Sequence, residues 1–306
     1  MIPLHRILLW LLVACSFAGL LSPLYWFFDL FNHFRAHALL ASIGFFATAL
    51  AFDKASLKLA ATVLSANTVL CLMPIVSTSG LETWNSPHDS RDGVKIVSSN
   101  VYTANTNYQR AIEVTTKADP DIIAFTEMDA RWIENVASLK KTYPHTLKHP
   151  RSDNFGIAVY SKLPFKPEIY PIGKLELPLA VLEFEHFTLI VAHPIPPTTK
   201  ENLAENITYM HAIAERSSKS GKPVVLAGDL NTTIWGGAIQ PLVGAGLKRV
   251  NRLGFAFTWP VQIPFLALQI DHFFARNVAS ADFKVREDIG SDHFPIEASF
   301  NFPNAN

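Results

Sequence analysis

The sequence has no excess of positive charge: its 306 residues hold 26 lysines and arginines against 26 aspartates and glutamates. A nucleic-acid binder built on a strongly basic surface is not indicated. Cysteine is nearly absent. Only Cys15 and Cys71 occur, both in the apolar N-terminal part, so the remainder has no disulfide framework and cysteine usage does not report a redox compartment. There is no low-complexity tract and no repeat at a solenoid period, which excludes a stacked-repeat architecture.

Charge of either sign is also missing from the start of the chain. Residues 1–78 contain four basic residues (Arg6, Arg35, Lys54, Lys58) and two acidic ones (Asp29, Asp53), leaving 22 basic and 24 acidic residues for the rest. Three apolar stretches, 7–28, 36–52 and 57–76, meet the length of about 17–25 residues needed to cross a bilayer as a helix. Trp10, Tyr25 and Trp26 suit interfacial positions. The first stretch, with His5-Arg6 before it, also has the form of a signal peptide, but two more stretches follow and no small-x-small cleavage site precedes the polar linker. Arg6, Lys54 and Lys58 place the N-terminus in the cytoplasm by the positive-inside rule, and three crossings then carry the remainder outside. The expectation is an integral protein of a bacterial inner membrane with its larger domain on the extracytoplasmic side, joined through a linker at 79–91.

From 92 to 303 the pattern alternates between short apolar runs and amphipathic segments, as in an α/β domain. Strands are predicted at 156–161, at 179–184 and 187–193 as a hairpin around Glu185-His186, and at 224–227. Helices are predicted from an Asn105 cap to Ala118, at 130–142 and at 201–217. The most informative stretch is Pro223–Asn231. Val224–Ala227 reads as a buried strand, Gly228 as the residue that breaks it, and Asp229 and Asn231 as side chains facing one way beyond it. Five further apolar runs carry polar residues in the same manner: Val94–Asn100, Ile122–Glu127, Ile190–His193, Ile270-Asp271-His272 and Ser291-Asp292-His293 before Phe294–Phe300. Buried polar groups need partners, so six such positions make sense as one cluster.

In this order, Gly-Asp-x-Asn, then Ile-Asp-His, then Ser-Asp-His, the chain from Asp92 to Phe302 resembles the endonuclease/exonuclease/phosphatase superfamily, whose members include DNase I, sphingomyelinases and inositol polyphosphate 5-phosphatases. The resemblance implies a four-layer α/β sandwich: two packed mixed sheets with helices on both outer faces. It implies a Mg²⁺ site, with Mn²⁺ as a substitute, held by Asn100 and Glu127 and completed or supported by Asp292. It also implies that Asp229 orients or deprotonates the attacking water and Asn231 hydrogen-bonds the phosphate. His193 and His293 would contact phosphoryl oxygens, and Asp271 would pair with His293. His272 reads as packing. Tyr102 stands where some DNA-repair members have an acid, and His193 where they have a tyrosine, which moves the match away from abasic-site endonucleases.

Those residues suit phosphoester hydrolysis, which needs an oriented water and charge stabilisation at the phosphoryl group. The substrate class stays open between lipid, small molecule and nucleic acid. A lipid or small phosphoester suits the tether and the apolar segment 254–268 better than nucleic acid, and a non-catalytic membrane scaffold is the reading from another class. The stiff loop Pro194–Thr199 is placed to shape the pocket. Asn206-Ile-Thr208 and Asn231-Thr-Thr233 match a glycosylation pattern by chance.

Overall fold

The computed structural model describes residues 4–79, 93–251 and 255–303. The N-terminal part forms α1 (Leu4–Ala18), the four-residue α2 (Asp29–Asn32), α3 (Arg35–Phe52) and α4 (Leu57–Ser79). Among the described residues, three helices are long and apolar enough to cross a membrane: Leu4–Leu21, Arg35–Phe52 and Leu57–Ser79. Leu8, Trp10, Leu40, Ile43, Leu50, Val69 and Met73 are all exposed, so the bundle is apolar on its outside as well as inside. The first span is shorter than the predicted 7–28. α1 tightens into a 3₁₀ turn at Gly19–Leu21 and stops, because Pro23 has no N–H to continue the ladder and restricts the residue before it.

Polar side chains tie the bundle together. The buried Asn67 on α4 donates to Ser16 Oγ on α1 at 2.9 Å and to Ser42 Oγ on α3 at 2.8 Å. Such bonds act as interhelical glue where apolar surface does not discriminate one partner from another. At one end of the bundle Asp53 accepts from Arg6 Nε at 2.7 Å. At the other, the buried Arg35 donates to Asn32 Oδ1 at 2.6 Å and to the Ser16 carbonyl. Arg35 is thus committed inside the bundle, while Arg6 stays partly exposed.

The rest of the chain builds two six-stranded sheets from β1 (Val94–Asn100), β2 (Ile122–Thr126), β3 (His145–His149), β4 (Ile157–Ser161), β5 (Lys166–Ile172), β6 (Leu177–Glu183), β7 (Thr188–Val191), β8 (Val224–Asp229), β9 (Lys248–Arg249), β10 (Asp271–Arg276), β11 (Ser280–Val285) and β12 (Ile296–Asn301). Their orders are β11-β12-β1-β2-β4-β3 and β5-β6-β7-β8-β10-β9. β1–β2 and β7–β8 pair in parallel and the rest antiparallel, so both sheets are mixed. Ile96, Ile122, Ala124 and Val159 of one sheet pack on Leu182, Leu189, Val225 and Phe273 of the other. Outside the first sheet lie α5 (Tyr108–Thr116) and α6 (Ala130–Asn135), packed on Ile123, Phe125 and Tyr160. Outside the second, Tyr209, Met210 and Ile213 of α7 (Lys200–Lys219) cover Ile190, Val224 and Leu226. This is the four-layer arrangement expected.

Several local expectations are corrected. β8 runs through Gly228 to Asp229, in register with β10 (Gly228 opposite His272). Gly228 is needed for space rather than to end the strand: a Cβ there would meet the Ala192 carbonyl oxygen at 2.0 Å, and its φ is +144°. α5 is entered from Asn107, not capped by Asn105, whose Oδ1 instead accepts from Asn107 N at 2.9 Å in a local turn. The predicted 130–142 helix breaks at Val136 into α6 and a 3₁₀ segment, Ala137–Lys141. Asn206, by contrast, is the chance match that its sequence reading takes it for. It is fully buried, and its amide bonds Ile195 O and Leu230 O.

The domain is seated directly on the bundle. Asp29 accepts from Gly237 N at 3.0 Å, Thr233 N donates to His33 Nδ1 at 3.2 Å, and Trp235 Nε1 donates to Cys71 O at 2.9 Å. Cys71 and Ile75 share a core cluster with Leu226 and Ile213. The linker predicted at 79–91 lies, from residue 80 onward, outside the described residues, and Ser79 closes α4.

Candidate active site

All eight predicted site residues come together where the ends of β1, β2, β7 and β8 meet the turns before β10 and β12. Asn100, the last residue of β1, is the hub. Its Nδ2 donates to Glu127 Oε1 at 3.0 Å and Asp229 Oδ2 at 3.1 Å, while its Oδ1 accepts from Tyr102 N. Glu127 follows β2 with φ +62°, and its Oε2 accepts from Thr103 N at 3.0 Å. Tyr102, Glu127 and Asn231 all have positive φ without being glycine, so backbone strain is concentrated around this cluster. Helix capping does not explain Glu127, because Asp129 caps α6 through Trp132 N.

Asp229 Oδ2 lies between two imidazoles, 3.5 Å from His193 Nε2 and 3.7 Å from His293 Nε2. Asp229 Oδ1 accepts from Asn231 N at 2.8 Å. Behind His293, Asp271 Oδ2 meets Nδ1 at 2.9 Å. Burial opposes ionisation of Asp229, but the neighbouring His293 and His193 hold its carboxyl down at about 2. Burial also opposes a charged His293, and the two carboxylates Asp271 and Asp229 overcome it, raising His293 to about 10. Burial pushes Asp271 up. Asp271 and His293 thus share one proton, and the carboxylates on both sides of the ring, Asp271 first and Asp229 second, hold it on His293.

The motif residues around these are scaffolding. Ser291 Oγ donates to Asn100 O at 2.9 Å and accepts from His293 N at 3.1 Å, pinning the Ser-Asp-His turn onto β1. His272 bonds Thr232 O through Nε2 at 2.9 Å, and burial lowers it to about 4, so it stays neutral as a packing residue. Asn231 commits one amide hydrogen to Pro194 O at 2.9 Å, leaving the other for a ligand.

The cluster floors a cavity of about 550 Å³ whose walls include Phe155, Pro196, Trp259 and Ile270. Its walls also hold residues outside the eight predicted, among them Trp259, Phe155 and His33. Trp259 Nε1 donates to Asp292 Oδ2 at 2.9 Å, and Phe155 sets its ring 5.1 Å from that of His193, tilted by 40°. Trp259 could have been found as the one indole in the apolar segment before β10. The third, His33, comes from the bundle, and no local signal ties it to residues 200 positions away.

Two donor sets offer themselves to a cation. Asp229, Asp271 and His293 present ligand atoms within 4.8 Å of one another, but His293 Nδ1 is already bonded to Asp271. Glu127 and Asp292 face the same cavity with hard oxygens, and the buried Asp292 Oδ1 has no hydrogen-bond partner. A desolvated carboxylate oxygen without a donor is what a magnesium-like ion would satisfy. The oxygen set therefore fits the group that the sequence implies.

The sequence pattern of the Endonuclease/Exonuclease/phosphatase family matches residues 97–293. Among solved structures, truncated TDP2 of Caenorhabditis elegans superposes with a TM-score of 0.56 at 18% identity, covering 69% of this chain and 98% of that one. TDP2 of D. rerio complexed with a single-strand DNA product gives 0.55 at 18%, covering 69% and 99%. Sphingomyelinase C from Streptomyces griseocarneus gives 0.52 at 17%, covering 68% and 99%. At these identities the likeness is one of fold. No curated protein matches the chain.

Proposed function

This chain belongs to the endonuclease/exonuclease/phosphatase family, and from that premise we propose that it is a membrane-anchored, divalent-metal-dependent hydrolase of phosphoric esters. The observation that carries the reading is the buried row Asp271–His293–Asp229–His193 on the floor of an open cavity. A carboxylate set between two histidines, one of them protonated, can hold a water and a phosphoryl group side by side.

In this reading His293 and His193 face the phosphoryl oxygens, with the charge on His293 fixed by Asp271 behind it. Asp229, ionised well below neutral pH, accepts a hydrogen bond from the attacking water and aims its lone pair at phosphorus. A carboxyl held near 2 is a poor store for a proton, so orientation is its larger contribution. Asn231 offers its free amide hydrogen to the phosphate. Glu127 and Asp292, with Asn100 steering Glu127, would hold the Mg²⁺ ion, which when bound polarises a phosphoryl oxygen as a Lewis acid.

Glu127→Gln is expected to leave the fold in place and to require about tenfold or more Mg²⁺ for half-maximal hydrolysis of a generic phosphodiester, with wild-type activity abolished by chelator. An unchanged metal titration would put the ion elsewhere, and chelator-resistant turnover would remove the metal dependence.

The anchoring carries its own expected outcome. α2 and the catalytic domain share one end of the bundle, and the Asp53 turn occupies the other. With Arg6, Lys54 and Lys58 at the Asp53 end, the domain is assigned to the extracytoplasmic side. A reporter active only outside the cytoplasm should work when fused after Asn306 and stay silent when inserted between Asp53 and Ser56. The opposite pattern would reverse the orientation.

A further inference from the structure

Phe34 lines two cavities. One is the catalytic cavity, which is walled on the bundle side by Leu30, His33 and Phe34. The other, about 220 Å³, lies between α1 and α3; Leu12, Cys15, Phe31, Phe34, Ala38 and Ala41 give it its apolar surface, and Ser16, Arg35 and His37 line it as well. Residues 38 and 41 fall on one stripe of α3 with Phe34 at its N-cap, and 12 and 15 on one stripe of α1. Ala38, Ala41 and Cys15 keep that stripe shallow where larger residues would close it. The groove adjoins the catalytic cavity at Phe34, which lines both, and lies against segments long and apolar enough to cross a membrane.

We propose that this groove holds the alkyl chain of a lipid phosphoester whose phosphate lies against His193, Asp229 and His293, a reading that rests on the phosphoesterase assignment above. From Phe34 to Ala41 the stripe extends roughly 10 Å, and two of the polar side chains beside it are already engaged: Arg35 donates to Asn32 and to the Ser16 carbonyl, and Ser16 Oγ accepts from Asn67. At the junction stands His33. Its Nδ1 accepts from Thr233 N, so the ring hydrogen sits on Nε2, which is buried and has no hydrogen-bond partner. That donor, 3.9 Å from the nearest Asp29 oxygen, is placed for an ester or phosphate oxygen where the chain meets the headgroup. The rim continues the theme. Phe257 packs its ring 5.8 Å from His37 on α3, and Phe255, Ile263, Phe265 and Leu266 are exposed beside it. The bundle is then part of the substrate site as well as an anchor. A nucleic acid has no chain to place in the groove, and a small soluble phosphoester would leave it unused.

The test uses the full chain in lipid nanodiscs with Mg²⁺ and two p-nitrophenyl phosphodiesters, one methyl and one dodecyl. Both react by the same cleavage, in which water's oxygen bonds to phosphorus and p-nitrophenolate leaves. Wild-type kcat/KM should favour the dodecyl ester by about tenfold or more. Filling the groove with Ala41→Trp, or with Ala38→Phe, should remove that preference, while turnover of the methyl ester shows that the catalytic centre is intact. Equal rates for the two esters in the wild type, or a preference that survives both substitutions, would overturn the proposal. If neither ester is hydrolysed with any divalent ion, the phosphoesterase reading fails. The groove is then judged by binding: dodecylphosphonate should slow maleimide labelling of Cys15, read by peptide mass, and methylphosphonate should not. Labelling at the same rate with both phosphonates would overturn the groove independently of catalysis.

Discussion

Asp229→Asn is expected to lower kcat by about 10²–10⁴-fold on every substrate the wild type turns over, with KM changed far less. The substitution keeps the size of the side chain and removes its charge. Asp229 accepts through both oxygens, from Asn231 N and from Asn100 Nδ2, and an amide can satisfy only one of these. A modest loss of stability, about 1–3 kcal/mol, should accompany the loss of activity and be visible in Tm. The kinetic effect is larger because Oδ2 also lies between His193 and His293, where the water must be held next to the phosphate. With Asn there, a donor faces two histidines and the water loses its acceptor. Folded Asp229→Asn protein with near wild-type turnover would show that the water is oriented by another group.

Much of this site is legible in the sequence because strand ends are punctuated there. An apolar run of four to six residues followed by Asn, Glu, His or Asp is costly unless those side chains meet, and six such runs in one chain leave few alternatives. Six of the eight residues singled out line one cavity, and the other two, Asn100 and Asp271, bond to them from behind. What could not be read is where chain segments distant in sequence touch. Gly228 looked like a strand breaker because glycine usually is one, whereas its role is to let the Ala192 carbonyl pass where a Cβ would stand. Asn105 looked like a cap because it precedes a helical pattern, yet Asn107 stands at the actual entry. β3 and β5 are edge strands with polar or proline-bearing faces, so their periodicity is weak. The seating of the domain on the bundle through Asp29, His33 and Trp235 leaves no local trace at all. For that reason the apolar segment 7–28 reads as a single span, although the helix stops at Leu21 and the residues just after the segment, Leu30, His33 and Phe34, help wall the catalytic cavity.

His293 and Asp271 should behave as one unit in activity and as opponents in stability. His293→Ala removes the group facing the phosphoryl oxygens and should cost about 10²–10⁴-fold in kcat/KM. Asp271 touches substrate only through His293 Nδ1, so it is a positioning residue. Asp271→Asn should cost less, since the ring keeps a partner but loses the charge that fixes its proton. In the double variant Asp271→Asn/His293→Ala, activity should fall no further than in His293→Ala alone, because the carboxylate has nothing left to position. Stability should move the other way. His293→Ala leaves Asp271, 2% exposed, as a buried carboxylate without its cation, a loss of about 3–5 kcal/mol. Removing that charge with Asp271→Asn should return part of the loss, so the double variant melts above His293→Ala. A carboxylate that merely stabilised the fold would give the reverse in Tm, and one that contacted substrate itself would give multiplied losses in kcat/KM. Either result would separate Asp271 from His293 and break the row on which the proposed chemistry depends.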